Sequence, residues 1–413
     1  MATIIRLIRF AFAGLLLLAL TGLWTSTAEA AGPCVHPTGA GKCFSSIQAA
    51  VDAASDGDQI SIRSGKYVEQ VTIFGKNISL IGQQGAVIEA PHEMQDTMSA
   101  VTGVEGRPII LAAGADVTLR NLTIDGANSA EENPFLYGIV YASAGGEIRN
   151  NLVRNIGFGE PRLPIIDGWP SYQGNAITVA NQMETPRTIL IAGNNLVKFN
   201  SVGITVFAET DPANPAQSTL TAHILDNMVV AQGTNGVIDQ WGIFLGGYNF
   251  TKPQFSVSGT IRGNQVRDAL TTAPHPLPGI GIVTLYTHDL EIDHNTVENV
   301  NVGLAANLAF TARITANLVN GPKHAGSGST GLIFSGSDSA VSENCFKRLD
   351  LGILLMVDDP SFGSALNTVL DGNQFEKVGA DLMTGASPSA AMEMTTNTVQ
   401  AQSLTAQPKF GPR

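Results

Sequence analysis

The sequence predicts an all-β fold in which the chain winds into a solenoid of stacked coils. Three observations lead to this prediction. Gly accounts for 44 of the 413 residues and only 14% of the residues are charged, a balance typical of short strands and tight turns. A motif of an aliphatic residue, two variable residues and Asn, followed after one more residue by Val or Phe, recurs along the chain. A second motif, Gly followed by aliphatic residues, recurs between its copies.

The asparagine motif occurs as "IRNNLV", "ILDNMV", "IRGNQV", "IDHNTV", "ITANLV", "VSENCF" and "LDGNQF". A further copy, "IAGNNLV", carries one extra residue, and we take its second Asn as the motif position. We expect the motif amides to stack at one turn of successive coils, where each buried hydrogen bond contributes about 1 kcal/mol. The predicted structural ladder is Asn151, Asn195, Asn227, Asn264, Asn295, Asn317, Asn344 and Asn373.

Repeats of this kind become stable only when coils stack, because a single coil cannot bury its apolar residues. The shortest spacing between motif asparagines, 22 residues, accommodates three short strands and three turns. About ten coils at ~4.8 Å spacing would extend over roughly 50 Å. Residues 44–55 are predicted to form a short helix, capped by Ser45 or Ser46, that covers the open N-terminal end of the stack.

The chain resembles the pectin-lyase-like right-handed parallel β-helix proteins, in which such asparagine ladders are familiar. The resemblance rests on the asparagine motif and on residues 45–82, "SSIQAAVDAASDGDQISIRSGKYVEQVTIFGKNISLIG". It implies a single-stranded right-handed parallel β-helix over residues 31–384. No enzyme subfamily is matched: the arginine pattern of pectate lyases, the Asn-Thr-Asp and Gly-His-Gly motifs of polygalacturonases and the Asp-Pro-His-Asp signature of alginate epimerases are absent from the sequence.

Both ends of the chain are predicted to lie outside this domain. Residues 1–30 are typical of a signal peptide, with Arg6 and Arg9 before the apolar run "FAFAGLLLLAL" and small residues at the cleavage point. The apolar run is too short to favour a membrane span, so we expect a secreted or periplasmic protein. There Cys34 and Cys43 could form a disulfide, two unrelated thiols being the alternative. Residues 385–413 lose the repeat and are predicted to form a loosely ordered tail.

The charge of the chain limits its partners. A formal net charge of −12 argues against nucleic acid and against unaided binding to a polyanion. The segment "HDLEIDH" places Asp289, Glu291 and Asp293 on the outward side of a strand, and we interpret them as a solvated acidic strip. His294 falls at the turn beside the ladder Asn295.

The strands that carry the glycine motif are expected to present an apolar outer face. Its predicted outward residues include no carboxylate, Lys or Arg: they are Thr205, Phe207, Phe244, Val283, Leu285, Ala305, Asn307, Ile333, Ser335, Leu354 and Met356. Such a face needs a cover, which could be the long turns, the tail or a protein partner. The register therefore argues against a catalytic centre on these strands.

Long turns are the predicted place for chemistry. Residues 158–174, 233–241, 267–279 and 321–330 fall at equivalent positions of different coils and could form one wall of a groove. Trp169, Tyr172 and Trp241 would stack on sugar rings, and Asp167, Asp239, Asp268 and His275 could act as acid, base or cation ligands. The alternative is that these aromatic residues only pack the turns onto the apolar face. No metal-ligand pattern is present in the sequence; calcium is the cation such carboxylates would favour.

Two functional hypotheses follow. The first is an exported β-helix protein that binds, and could cleave, extracellular or cell-wall polysaccharide in a groove walled by long turns; as an enzyme it would be a polysaccharide lyase or a glycoside hydrolase. The second is a non-catalytic structural or adhesion rod that binds another protein through its apolar strand face. A fold alone does not decide between them.

Overall fold

The computed structural model describes residues 32–158, 165–166, 169–170, 174–209, 219–233, 240–248, 256–271, 278–322, 328–356, 367–385 and 393–399. The predicted signal peptide lies outside these residues. Within them the chain is all-β, as predicted, and its strands pair in parallel with strands of the preceding and following coils. None of the described helices has the length and hydrophobicity that a membrane span requires.

Each coil contributes one strand to each of three parallel sheets, and strands are numbered in chain order. Sheet 1 precedes the asparagine turn and contains β1 (Cys34–Val35), β2 (Gln59–Ile62), β5 (Ser79–Gly82), β8 (Asp116–Arg120), β11 (Gly145–Arg149), β16 (Arg187–Ala192), β19 (Leu220–Leu225), β22 (Val257–Arg262), the second half of β24 (Ile280–Asp293), β27 (Arg313–Thr315), β30 (Ala340–Ser342) and the first half of β33 (Val369–Glu376).

Sheet 2 follows the asparagine turn and contains β3 (Gly65–Val68), β6 (Ala86–Glu89), β9 (Thr123–Asp125), β12 (Leu152–Ile156), β17 (Asn195–Phe199), β20 (Met228–Val230), β23 (Gln265–Arg267), β25 (Thr296–Glu298), β28 (Leu318–Asn320), β31 (Cys345–Lys347) and the second half of β33.

Sheet 3 carries the glycine motif and contains β4 (Val71–Phe74), β7 (Arg107–Ala113), β10 (Leu136–Ala142), β15 (Asn175–Asn181), β18 (Val202–Glu209), β21 (Trp241–Tyr248), the first half of β24, β26 (Val302–Phe310), β29 (Thr330–Phe334), β32 (Leu351–Met356) and β34 (Ala380–Gly385). Outside the three sheets, β13 (Ile165–Ile166) and β14 (Trp169–Pro170) form a short antiparallel pair.

The core fills the space between the sheets with stacked columns of aliphatic side chains. Alternate residues of a strand point to opposite faces, so one position per strand recurs inside every coil. In sheet 1 this position is fully or almost fully buried and aligned from coil to coil; it is occupied by Ile148, Ile191, Ile224, Ile261, Ile292, Ile314, Val341 and Leu370.

An asparagine ladder joins the coils at the turn between sheets 1 and 2. At Asn295 the side-chain Nδ2 donates to the Ile261 carbonyl at 2.8 Å and to Asn317 Oδ1 at 2.9 Å. Its Oδ1 accepts from both the backbone N–H and Nδ2 of Asn264. The same pattern links consecutive members of the series Asn151, Asn194, Asn227, Asn264, Asn295, Asn317, Asn344 and Asn373.

One predicted member of the ladder was wrong: the structure places Asn194 in it, and not Asn195. Asn194 is 1% exposed, and its Oδ1 accepts from the backbone N–H and Nδ2 of Asn151. Asn195 instead begins β17, where it pairs with Leu152, and Leu196 pairs with the core residue Val153. This copy therefore contains no extra residue, and Leu196 occupies the position that Val or Phe takes in the other copies.

Each ladder Asn follows a residue in the left-handed backbone conformation, which turns the chain sharply between sheets 1 and 2. These residues are Asn150, Gly193, Asp226, Gly263, His294, Ala316, Glu343 and Gly372, with φ between 54° and 68°. Gly, Asn, Asp and His tolerate this conformation best, which accounts for most of the series. The position of His294 is thus explained by the turn.

The N-terminal end is organised by a short helix, α1 (Ile47–Ala53), and a disulfide. Ser46 is the N-cap, and the Glu69 carboxylate accepts hydrogen bonds from the backbone N–H groups of Ile47 and Gln48. The apolar face of α1 belongs to the same core as the first strands. Cys34 and Cys43 form a disulfide. The 3₁₀ helix (Ala40–Lys42) lies between these cysteines, and a second short helix, α2 (Ser99–Thr102), precedes β7.

The prediction for the C-terminal end needs correction. The strand β34 ends at Gly385, and residues 393–399 of the predicted loose tail form a strand, β35 (Glu393–Val399). This strand pairs in parallel with β33, with Val369 opposite Glu393 and Phe375 opposite Val399. The strand carries a further copy of the asparagine motif, "MTTNTV" (residues 394–399), which the prediction had left in the tail, so the repeat itself continues beyond β33.

A buried hydroxyl in the core yields a stability prediction. Thr284 points inward between Leu245 and Ala306, is fully buried, and its Oγ1 has no hydrogen-bond partner in the described structure. Replacing Thr284 with Val should raise the free energy of unfolding by about 1 kcal/mol, because a buried unpaired hydroxyl is lost. Urea denaturation measures the change. The control is Thr271→Val, which removes a hydroxyl that accepts from the Gly279 N–H and should destabilise. Destabilisation by Thr284→Val would contradict the prediction.

Candidate functional site

Most of the residues predicted to form a groove lie outside the described structure. This applies to Asp167, Tyr172, Asp239 and His275. For Trp169 the structure describes the backbone only, which pairs with Ile166 in β14. The predicted convergence of these side chains on one groove therefore stays a prediction.

Trp241 is one of the two predicted groove residues whose side chains are described. It begins β21 on the outer face of sheet 3, and its ring stacks on Phe244 with centroids 5.8 Å apart. Both rings pack against a buried cluster of Ile280, Val283, Val302 and Ala305. The indole Nε1 is buried without a hydrogen-bond partner in the described structure. Trp241 is thus mainly a packing residue of the apolar face, which is the alternative that the sequence left open.

Asp268, the other described groove residue, is held in a turn. It has a left-handed backbone with φ 64°, and its Oδ1 accepts from Asn299 Nδ2 at 2.7 Å. Its carbonyl also accepts from the Gly233 N–H. These bonds explain the residue structurally, since an Asp at such a turn satisfies neighbouring backbone and amide groups.

The outer face of sheet 3 has the predicted register and is largely covered. Ile204, Val206, Ile243 and Leu245 are fully buried in the core, and the residues between them point outward. Several outward residues are nevertheless buried, among them Thr205, Val283, Ala305 and Ser335, at 9%, 7%, 3% and 0% exposure. Near the N-terminus the cover includes Met98, which precedes α2 and packs on Leu111, Tyr137 and Val140.

An open polar cleft lies instead on the outer face of sheet 1, with a volume of about 860 Å³. That size falls within the range of small-ligand sites. The cleft crosses consecutive coils at β24, β27, β30 and β33. Its polar lining residues are Asp289, Glu291, Thr311, Arg313, Thr315, Asp338, Ser339, Ser342 and Asn367.

The floor of the cleft is a column of side chains in register. Glu291 pairs with Arg313, Arg313 with Ala340 and Ala340 with Val369. The Glu291 carboxylate forms a salt bridge with Arg262 of the preceding coil. The floor therefore combines a carboxylate, a guanidinium and two apolar side chains, of which Val369 is 36% exposed.

The edge of the cleft is formed by the residues two positions before the floor: Asp289, Thr311, Asp338 and Asn367. All four have a left-handed backbone, with φ between 47° and 55°. Thr311 Oγ1 donates to Asp289 Oδ1 at 2.6 Å, and Asn367 Nδ2 donates to Asp338 Oδ1 at 3.0 Å. Each carboxylate is thus bonded to the side chain on the next coil. The bonds hold a row of polar groups along one side of the cleft.

These bonds also keep the two edge carboxylates ionised. Hydrogen bonds from Thr311 and His288 lower the pKa of Asp289, and hydrogen bonds from Asn367 and Ser337 lower the pKa of Asp338. Both groups remain accessible to a ligand, since the Asp289 side chain is 72% exposed and Asp338 is also an exposed residue. At neutral pH the edge of the cleft therefore presents charged acceptors beside neutral donors.

The length of the connections explains why the cleft is open. The strand β24 runs from sheet 3 into sheet 1 without a break, residues 311–312 join β26 to β27, and residues 335–339 join β29 to β30. The connections before and after these coils are longer: residues 249–256 join β21 to β22, and residues 357–368 join β32 to β33. The short connections thus leave the outer face of sheet 1 accessible at these coils.

The predicted acidic strip is only partly solvated. Asp289 and Glu291 line the cleft, as outward residues should, but Asp293 is 7% exposed. Arg262 Nε donates to both carboxylate oxygens of Asp293 at 2.8 Å, and His294 Nδ1 lies 2.8 Å from Asp293 Oδ2. The Ile-Asp-His segment is therefore a structural ion-pair cluster next to the cleft.

Sequence reasoning missed Thr311, Arg313, Asp338 and Asn367. A fixed offset could have found them, because the floor lies four residues before the ladder Asn of each coil and the edge lies six residues before it. Arg313 precedes Asn317 by four, for example, and Thr311 precedes it by six. Aligning the coils on the ladder would have placed these residues in two columns.

No protein-family model matches the sequence, and no curated protein matches it. Solved structures do match. A mannuronic acid specific polysaccharide family 6 lyase from human gut microbiota aligns with a TM-score of 0.50 and 12% identity over 84% of this chain and 77% of that chain. The Streptococcus pneumoniae surface protein and adhesin PfbA aligns with a TM-score of 0.49 and 13% identity over 86% and 95%.

The A-module of the Azotobacter vinelandii mannuronan C-5 epimerase AlgE6 aligns with a TM-score of 0.44 and 13% identity, over 86% of this chain and 95% of that chain. At such identities a structural similarity shows the fold and leaves the activity open. Together with the three parallel sheets and the asparagine ladder, the similarity to the lyase identifies this chain as a right-handed parallel β-helix protein.

Proposed function

We propose that this is an exported β-helix protein that binds an extracellular or cell-wall polysaccharide in the cleft on the outer face of sheet 1. The observation that carries the proposal is the cleft itself, an open volume of about 860 Å³ lined by carboxylates, hydroxyls, an amide and a guanidinium. Sugars present many hydroxyl groups in a small volume, and each hydroxyl can both donate and accept a hydrogen bond.

The cleft residues supply the partners that a sugar needs. Asp289, Glu291 and Asp338 accept hydrogen bonds from sugar hydroxyls, whereas Arg313 and Asn367 donate to sugar oxygens. Ala340 and Val369 form an apolar part of the floor, on which the C–H face of a ring can pack. Because the cleft crosses several coils, it can hold more than one sugar unit.

Binding is the part of this proposal that the geometry supports best. A glycoside hydrolase needs a carboxylic acid that is protonated when substrate is bound, and the hydrogen bonds to Asp289 and Asp338 shift their pKa in the opposite direction. Cleavage by a lyase or hydrolase mechanism is the finer hypothesis. Incubation with polysaccharide, followed by analysis for shortened or unsaturated products, tests it directly.

The export part of the proposal rests on the N-terminal sequence and the disulfide. Residues 1–30 have the pattern of a cleaved leader, and Cys34–Cys43 is a bond that forms in oxidising compartments. Such a protein would be secreted or periplasmic. Mass spectrometry of the mature N-terminus after expression with its own leader tests the cleavage near residue 31.

A second candidate function is a protein-binding rod that uses the outer face of sheet 3. The stacked Trp241 and Phe244 rings on the apolar cluster favour it, since aromatic side chains often anchor protein interfaces. The original groove hypothesis, with Trp169, Tyr172 and Trp241 as sugar-stacking residues and Asp167, Asp239, Asp268 and His275 as chemical groups, concerns this same face. Substitutions distinguish these two hypotheses from binding in the cleft. Under either hypothesis, substitutions on the outer face of sheet 3 reduce binding and substitutions in the cleft do not.

Replacing Arg313 with Gln is expected to weaken polysaccharide binding at least tenfold. The substitution keeps a hydrogen-bonding side chain on the floor and removes the charged fork that can hold two sugar oxygens, a loss worth about 1.4 kcal/mol or more. Affinity electrophoresis and isothermal titration against a panel of wall polysaccharides measure the effect. The matched control is Arg120→Gln, a partly exposed arginine on β8, several coils from the cleft. Equal effects of the two variants would place the binding site elsewhere.

Calcium is retained as a proposed cofactor of this site. Among the described residues no three His, Cys, Asp or Glu side chains are arranged to hold a metal ion. A calcium ion in the cleft would therefore take part of its coordination from sugar oxygens, because calcium requires six to eight oxygen ligands. Titrations with added calcium and with a chelator test whether polysaccharide affinity depends on the ion.

A further inference from the structure

We propose that the glycan bound in the cleft on sheet 1 is uncharged, and that the cleft discriminates against polymers of uronic acids. This inference rests on the proposed function, since it specifies the ligand class of the same site. It concerns the charges on the floor and edge of the cleft and on the coil next to it.

The cleft itself carries three carboxylates and one cation. Asp289, Glu291 and Asp338 line it together with Arg313. The adjoining ion pair does not change the balance, because Arg262 contacts both Glu291 and Asp293 and so adds one cation and one carboxylate. His288 and His294 each lie beside one of these carboxylates, at Asp289 and Asp293. Counting carboxylates and guanidinium groups only, the site has two more negative than positive charges.

A uronate polymer would bring one further carboxylate with each sugar unit. Arg313 could pair with one of them, but the others would face ionised carboxylates across a short distance, where like charges repel. A neutral glycan avoids this repulsion and keeps all its hydroxyl groups as donors to the same carboxylates. The negative charge of the whole chain acts in the same direction at low ionic strength.

The test uses matched oligosaccharides that differ only at C6. The full-length protein after leader removal is titrated with glucose, mannose and galactose oligomers and with the corresponding glucuronate, mannuronate and galacturonate oligomers. The neutral member of at least one pair is expected to bind, with its uronate partner at least tenfold weaker at low salt. The difference should shrink as salt is added, because surface charges are then screened.

Two variants connect this preference to the cleft. Neutralising the edge in Asp289→Asn/Asp338→Asn should reduce the discrimination between the members of a pair at least threefold. The control, Asp116→Asn, removes an exposed carboxylate on β8, several coils from the cleft, and should leave the discrimination unchanged. Uronates that bind as tightly as or more tightly than their neutral partners would overturn the inference and leave the glycan-binding proposal intact. If no oligomer of either series binds, the proposed function fails, and this inference fails with it.

Discussion

Replacing Asn194 with Ala is expected to lower the free energy of unfolding by about 3 to 5 kcal/mol, because several buried polar groups lose their partners at once. The Asn194 side chain accepts from the backbone N–H and Nδ2 of Asn151 and donates to the Ile148 carbonyl and to Asn227 Oδ1. The turn is closed to water at this depth, since Asn194 is 1% exposed. Chemical denaturation monitored by circular dichroism measures the loss.

The neighbouring residue supplies a matched control. Asn195→Ala removes the same atoms one position later, where the side chain belongs to a strand and its Oδ1 has no hydrogen-bond partner in the described structure. We expect this variant to change the free energy of unfolding by less than about 1 kcal/mol. Similar losses for the two variants would show that the amide ladder is not what stabilises this turn.

The fold was predictable because the same sequence features recur in successive coils. An inward aliphatic residue, a turn residue and a buried Asn recur together, so each copy supports the interpretation of the others. Asn195 was wrongly assigned to the ladder because it is adjacent to Asn194. Val197 was taken as the Val that follows the ladder Asn by two residues. The register depends on Leu196, which pairs with Val153 inside the core. The spacing of three residues from Ile191 to Asn194 agreed with the other copies and was the better guide.

The cleft was harder to predict because its residues occupy equivalent positions in their coils but differ in chemical type. Along the floor the same offset from the ladder gives Glu291, Arg313, Ala340 and Val369, so no repeated residue type marks the column. The cleft is accessible because the turns beside it are short. This feature becomes visible only when the lengths of the turns are compared among the coils. Inward positions are constrained by packing and therefore repeat, whereas outward positions can vary with function.

The glycine motif, in contrast, results from a packing constraint that is evident only in the structure. A Cβ added to Gly303 would lie 2.3 Å from Val319 Cγ1 and 2.6 Å from the Gly331 carbonyl oxygen. The same geometry recurs along the column: Gly203 meets Val229, Gly242 meets Val266 and Gly281 meets Val297. The Val or Phe of the asparagine motif thus points at the glycine of sheet 3. The two motifs therefore supply the two residues of one contact, the Val or Phe on one side and the Gly on the other.

Gly303→Ala is accordingly expected to destabilise the protein by about 3 kcal/mol, at the upper end of overpacking costs, because a backbone oxygen and a core side chain both block the added methyl group. Val319→Ala alone should cost about 2 kcal/mol through the cavity that it leaves. In the double variant the clash with Val319 is relieved, so the combined loss should fall short of the sum by at least ~1 kcal/mol.

The rescue is specific to the pair in contact. Val229 makes the same contact with Gly203 in another coil, so Gly303→Ala combined with Val229→Ala should show additive losses. Denaturation of the single and double variants yields both coupling energies. If Val319→Ala and Val229→Ala behave alike in the Gly303→Ala background, the cost at Gly303 arises from the backbone carbonyl of the next coil and not from the side chain across the core. Glycine would then be required by the coil spacing alone, whatever residue follows the ladder asparagine.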